Sequence, residues 1–272
     1  MPGPMGFLTD LVTRVRADLE RSPLDDGSLM ARCLASPPPR DFVGALRAAA
    51  RPAVIAEVKR SSPSVGHIGE ADPGGLARAY ESAGASAISV LTEPRHFDGA
   101  LSDLRAARIA VELPVLRKDF LVHPSQLIES RAEGADAVLL IAAVLGDAEL
   151  AAALSICADL GLGVLLETHS ERDLERALAT DTAVIGVNAR DLESLEVGVD
   201  RAIDALRAIP RDRIAVLESG ITGPSHVRTA VEAGASAILV GEALMRAPDP
   251  AAKLRQLHEA GTRTAGERSE SI

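Results

Sequence analysis

The chain has no tryptophan, one tyrosine and four phenylalanines, so aromatic residues fill 2% of its 272 positions. That scarcity removes the stacking platforms on which single-stranded nucleic acids are held. Its two cysteines, Cys33 and Cys157, lack the spacing of a zinc, redox or c-type haem motif and read as structural thiols of a reducing compartment. No apolar run reaches the roughly 18 residues that a spanning helix needs. The opening "MPGPMGFLTDLVTRVRADLE" mixes charge into its apolar positions as no secretory signal does. The expectation is a cytoplasmic protein without membrane contact. A long Lys/Arg block is also missing and the formal charge is −10, which argues against nucleic acid as a partner. A small molecule remains, and an anionic one needs a local positive site. The acidic surface, with no obvious apolar face, points to a monomer.

What the chain does have is apolar residues (47%) and enough length for one large domain. It also repeats itself. "AGASAI" occurs at 83–88 and again at 233–238, with "EGADAV" at 133–138, so that Gly84, Gly134 and Gly234 each end a helical stretch and lead into an apolar run. Helix, glycine stop, buried strand is the grammar of an α/β repeat. Reading outward from these stations gives eight apolar runs, at 53–59, 85–92, 113–119, 135–142, 163–169, 183–188, 214–220 and 236–241. Continuous apolar strands imply burial on both faces of a parallel sheet. Eight such units close most simply into a (β/α)₈ TIM barrel. An open doubly wound sheet shares the alternation, but the strand count and the absence of a Gly-x-Gly-x-x-Gly turn after the first strand disfavour it.

The barrel spans 53–257. Residues 1–52 form a helical extension, in which "GFLTDLVTRVRADLERS" and "RDFVGALRAAA" read as two amphipathic helices packed on a barrel end. The tail 258–272 reads as frayed.

Strands buried on both faces should not end in charges, yet these do, nearly always at the C-terminal side. Glu57 and Lys59 close the first run, Lys118 and Asp119 the third, Glu167 the fifth, Asn188 and Arg190 the sixth, Glu218 and Ser219 the seventh. Any one of these is an ordinary surface charge at a strand end. Polar chemistry at five strand ends lies on the face where barrel enzymes keep their sites. Two lysines and three glutamates in one low-dielectric mouth couple, supplying proton donors and acceptors for general acid and base catalysis. A metal centre ranks below this: the six histidines are scattered, only His169 adjoins a strand end, and the lysines would repel a cation held by the carboxylates. "ESGIT" and "VGEALM" put Gly220 and Gly241 after the last two strands, where barrels bind phosphate on backbone amides. "KRSSPSVG" at 59–66 adds a lysine and hydroxyls in a loop able to close over it.

In "RDFVGALR", "IAEVKRSSPSVG", "LTEPRHFDG", "LRKDF", "LLETH", "GVNARDL", "ESGI" and "LVGEALM", in that order over roughly residues 5–255, the chain resembles the indole-3-glycerol-phosphate synthase family. The resemblance implies conversion of 1-(2-carboxyphenylamino)-1-deoxyribulose 5-phosphate to indole-3-glycerol phosphate, with loss of carbon dioxide and water and no cofactor. It makes Lys118 the general acid at the ketone oxygen, and gives the later proton transfers to Lys59, Glu57 and Glu167. Asn188, Glu218 and Ser219 would position the substrate, Arg190 would steady the neighbouring loop, and Phe120 would wall the anthranilate ring. Lys59, Ser62, Gly220, Gly241 and the Glu242 amide would hold the phosphate. Two positions depart from the family pattern: Ala189 replaces a polar residue, and Glu242 a small hydroxyl residue, putting a carboxylate near the phosphate. A sugar-phosphate isomerase, such as phosphoribosylanthranilate isomerase, would share the phosphate half without the Glu57, Lys59, Lys118 and Glu167 set. A non-catalytic metabolite-binding barrel would not need that set.

Overall fold

The computed structural model describes residues 6–62, 66–67 and 72–269, with the side chains of Ser62, His67, 263 and 265–269 outside that description. Eight parallel strands close into a barrel: β1 (Ala53–Val58), β2 (Ala87–Leu91), β3 (Val115–Lys118), β4 (Ala137–Ile141), β5 (Gly163–Thr168), β6 (Val184–Asn188), β7 (Ile214–Glu218) and β8 (Ala237–Val240). Each pairs with its sequence neighbour, and β8 closes on β1 through Ala53↔Ala237 to Ala56↔Val240. All eight match the apolar runs of the sequence. Between them run α4 (Pro73–Ser82), α5 (Leu101–Ala110), α6 (Pro124–Ala132), α7 (Asp147–Asp159), α8 (Glu171–Leu178), α9 (Val199–Ala208) and α10 (Pro224–Ala233), with α11 (Glu242–Met245) and α12 (Pro250–Ser269) after β8.

The repeated hexapeptide has a backbone cause. Gly84, Gly134 and Gly234 sit at φ +94°, +91° and +112°, the left-handed region that ends a helix at little cost only with glycine. Two residues on, the amides of Ser86, Asp136 and Ser236 donate to Val54, Val115 and Ala215 of the preceding strands. In the middle copy the side chain also works: the buried Asp136 carboxylate accepts from the amides of Arg40 (2.7 Å) and Val115 (2.8 Å) and pairs with Arg108 at 3.0 Å. Asp136→Ala strands two amides and a guanidinium, so we expect a loss of about 3 kcal/mol in urea unfolding with activity per folded molecule unchanged.

Strand alternation separates two cores. Val54, Ala56 and Val58 face the helices, while Ala53 and Ile55 point inside with Ala87, Leu116, Ala137, Leu139, Leu165, Val184, Val216 and Leu239. The N-terminal extension straps this barrel at both ends. Helix α3 (Phe42–Ala48) plugs the base, with fully buried Phe42 against Gly163 at the start of β5. Helix α1 (Phe7–Arg21) sits at the mouth, where Leu8 N–H donates to the Leu192 carbonyl and the Thr9 hydroxyl to Glu193. Between them α2 (Asp26–Ala35), which the sequence reading did not separate, lies along α6 through Leu29, Cys33 and Ala132. Where that reading expects a frayed tail, α12 continues to Ser269, with Gly261 and Thr264 buried. Burial raises both thiols, Cys157 up to about 12, so neither is a reactive thiolate at neutral pH. Among the described residues no helix is long and apolar enough to cross a membrane.

Candidate active site

The parity that sends Ala53 and Ile55 into the barrel sends Glu57 to its mouth. Likewise Leu116 leads to Lys118, Leu165 to Glu167, Gly186 to Asn188, and Val216 to Glu218. Register keeps them together: Glu167 pairs with Gly186, and Asn188 with Glu218. These residues line a cavity of about 810 Å³, with Lys59, Phe120, Arg190, Ser219, Gly220, Gly241 and Glu242. Every sequence-predicted site residue is therefore brought to one place except Ser62, whose side chain lies outside the described residues.

At its floor the charges alternate. Lys118 Nζ stands 3.3 Å from Glu167 Oε2 and 3.6 Å from Glu218 Oε2, and Lys59 Nζ is 3.0 Å from Glu57 Oε1. Burial works against the Lys118 charge, but the Glu167, Glu218 and Glu57 carboxylates outweigh it and hold the ammonium above its ordinary value. Burial also works against the Glu167 charge, yet Lys118 and His169 hold its carboxyl well below the usual range. Glu218 goes the other way: burial first, then the Glu167 charge, push it well above the carboxylate range. One lysine is thus held toward its ammonium form, one glutamate toward its carboxylate and one toward its protonated form within a single shell, the division of labour that acid–base chemistry requires. Neither buried Glu218 oxygen receives a hydrogen bond from a neighbouring donor, and in its protonated form the carboxyl has Glu167 as an acceptor.

The far wall is backbone. Ser219 and Gly220 are consecutive left-handed residues (φ +63° and +72°), which turns the chain sharply after β7. Ser219 holds that conformation against its side chain, a strain typical of functional turns. At Gly241 a side chain would overlap Glu57 Oε1, so the missing Cβ makes room for that carboxylate. The Glu242 carboxylate lies against Arg246 (3.2 Å) and Arg190 (3.7 Å), which balance its charge. Arg190 also donates to the Leu195 carbonyl at 3.0 Å, pinning its own loop. Ala189 is fully buried in the layer between strands and helices, away from the cavity.

Among the lining residues that the sequence reading does not name, four bear on the chemistry. Phe7 and Phe97 join Phe120 on the apolar wall, with the Phe97 and Phe120 centroids 6.2 Å apart; Arg246 and Lys253 add positive charge at the opposite end. In a chain with so few aromatics, three of four phenylalanines converging on one cavity was a usable signal. Phe97 is held by Glu93, whose buried carboxylate accepts from the amides of Arg95, His96 and Phe97. Phe97→Ala should raise KM several-fold with a smaller change in kcat if the wall binds an aromatic ring, a split steady-state kinetics reads directly.

A family profile described as indole-3-glycerol phosphate synthase matches residues 8–257. Proteins named indole-3-glycerol phosphate synthase from Mycobacterium avium (strain 104), Nocardioides sp. (strain ATCC BAA-499 / JS614) and Azoarcus sp. (strain BH72) are 46%, 47% and 49% identical to the chain. These matches cover 95%, 93% and 89% of this chain and 96%, 98% and 94% of those proteins. Among solved structures, a thiamine phosphate pyrophosphorylase from Pyrococcus furiosus superposes with a TM-score of 0.57 at 15% identity, over 78% of this chain and 95% of that one, a likeness of fold alone. The profile and the relatives run through all eight strands and the charged mouth alike, and the chain belongs to the indole-3-glycerol phosphate synthase family.

Proposed function

We propose that this mouth carries out the family's reaction, a carboxy-lyase step of tryptophan biosynthesis, with the following assignment of residues. The substrate, 1-(2-carboxyphenylamino)-1-deoxyribulose 5-phosphate, closes its ring when the aromatic carbon attacks the ketone; carbon dioxide then leaves, and loss of water gives indole-3-glycerol phosphate. One proton is delivered to the ketone oxygen, a second to the departing hydroxyl, and one is removed as the indole forms. The observation that carries the reading is the Lys118 ammonium between Glu167 and Glu218 on the floor of an aromatic-walled cavity.

Lys118 delivers the first proton and stabilises charge developing on the ketone oxygen, at low dielectric where that interaction is strong. Glu167, held ionised, is the base of the dehydration, and the Lys59–Glu57 pair serves the departing hydroxyl. Asn188, Glu218 and Ser219 fix the chain of the substrate. Phe120, with Phe7 and Phe97, encloses the anthranilate ring and strips water from its carboxylate before carbon dioxide leaves. Lys59, Ser62 and the amides around Gly220, Gly241 and Glu242 hold the phosphate, whose binding energy keeps the flexible chain in its ring-closing shape. The atoms balance as carbon dioxide, water and product, without an external oxidant or reductant. We take the chain to act as one barrel domain with its helical extension, as a monomer, in the cytoplasm; two buried thiols and the lack of a membrane-crossing helix among the described residues support that placement.

The test is direct. Mixed with the carboxyphenylamino-deoxyribulose phosphate in chelated buffer, the protein is expected to generate indole fluorescence against a background low because the chain has no tryptophan. A folded protein that gives none would return the isomerase and binding-only readings to the front.

A further inference from the structure

His169 does not line the catalytic cavity; it stands behind Glu167, in a smaller groove bordered by Leu8 and Thr9 of α1 and by Asp191 and Glu193. Its position two residues beyond Glu167 puts both side chains on the same side of the chain. Nε2 lies 2.7 Å from Glu167 Oε1, and Nδ1 lies 3.2 Å from the Arg190 carbonyl oxygen. A carbonyl only accepts, so Nδ1 carries a hydrogen. Two bare acceptors cannot meet at the other distance, so a proton also lies between Nε2 and Oε1. With Glu167 ionised, the ring is an imidazolium.

We propose that His169 is a positioning residue for Glu167: it occupies Oε1, fixes the carboxylate plane, and leaves Oε2, the oxygen beside Lys118, as the one that exchanges a proton with substrate. The inference rests on the reading of Glu167 as the base of the synthase reaction. The ring is itself braced. His169 N–H donates to Asp173 Oδ2 at 3.3 Å, and Asp173 closes the capping box with Ser170 at the start of α8. Its acceptor, Arg190, is tied through its amide to Asn188 Oδ1 (3.0 Å) and through its guanidinium to Leu195 and Glu242. A rigid second residue behind a catalytic carboxylate keeps it near reactive geometry, where an error of about 1 Å costs about 10²-fold in rate.

The charge also acts on Glu167. The groups facing the ring are Glu167 on β5, Asp173 on α8, Arg190, Asp191 and Glu193 on the β6–α9 loop, and the hydroxyls of Thr9 and Thr13 on α1; Lys118 and Glu218 stand behind Glu167. Burial disfavours the imidazolium, but the Glu167 carboxylate outweighs it and raises the ring above its ordinary value, while the ring helps to hold Glu167 down. Removing the cation raises the carboxyl from well below the usual range, so Glu167 stays ionised at neutral pH and the effect on activity there is one of geometry.

The experiment measures kcat and KM between about pH 5 and about pH 9 for the parent, His169→Ala and His169→Gln, with melting temperatures alongside. We expect His169→Ala to lose about 10- to 100-fold in kcat across that range with KM changed less than about threefold. His169→Gln, whose amide N–H still reaches Oε1, should recover part of kcat, and it serves alone if the alanine variant fails to fold. No recovery in His169→Gln, or a loss that only tracks the folded fraction, overturns the proposal and leaves a structural histidine. NMR titration of the His169 ring needs no turnover: protonation persists above the ordinary range in the parent and falls in Glu167→Gln if the two groups share a proton. Coupling without parent turnover would therefore count against the synthase reading, and turnover without coupling against the role of His169.

Discussion

Lys118→Ala is expected to lose at least about 10³-fold in kcat, about 4 kcal/mol of transition-state stabilisation, while melting near the parent temperature. The size follows from what the ammonium does for the ketone: it supplies the proton and the countercharge together. The fold should tolerate the change because Lys118 faces the cavity rather than the packed interior. Its loss also removes the Lys118 charge from beside Glu167 and Glu218, so both carboxyls become harder to ionise, and the remaining base is weakened in turn. Lys118→Arg separates the two duties. A guanidinium keeps the charge but does not release its proton at working pH. If proton delivery dominates, the arginine variant should bind substrate yet remain within about tenfold of the alanine variant in kcat. An arginine variant near the parent rate would reduce Lys118 to an electrostatic clamp.

Most of the barrel was legible because buried parallel strands write themselves as continuous apolar runs, and the left-handed glycines mark where each helix must stop. The catalytic floor was legible for a related reason: side-chain parity carries the inward row of each strand to the mouth, so a charge at the end of β1, β3, β5 or β7 has few other places to go. What stayed hidden depends on contacts between distant segments. Helix α2 buries only Leu29 and Cys33, too little for a clear periodic stripe, and is held by α6. The polar, glycine-containing end of α12 persists because a side chain at Gly261 would run into Pro52, so the residue that looks like a helix breaker permits close packing. Glu242 reads as a repulsive neighbour for phosphate until Arg190 and Arg246 are seen against it. In the sequence His169 stands out only as the one histidine beside a strand end. Its meaning lies in the distance to Glu167.

Gly186→Ala should produce an enzyme that folds but has lost about 100-fold in kcat, because β6 is built to leave space beside Glu218. A Cβ at Gly186 would overlap Glu218 Oε1 and come within 3.2 Å of Glu218 Cδ and of Leu165 Cδ1. The overlapped atom ends a rotatable side chain, so β6 can stay in place while the carboxyl swings away, and the stability cost should remain near 1 to 3 kcal/mol, the usual range for overpacking. The carboxyl has nowhere equivalent to go: it is 1% exposed, Lys118 Nζ stands 3.6 Å away, and the Glu167 carboxylate beside it shares that lysine. Any new position changes the balance that holds the Glu167 carboxyl down and the Glu218 carboxyl up. Gly241→Ala provides the contrast. There the added atom meets Glu57 Cβ and Cδ at 3.0 Å as well as overlapping Oε1, and a Cβ cannot rotate aside, so backbone must shift and melting temperature should fall together with activity. If Gly186→Ala instead retains parent kcat, Glu218 can be displaced without consequence, and its place in positioning substrate must be given up.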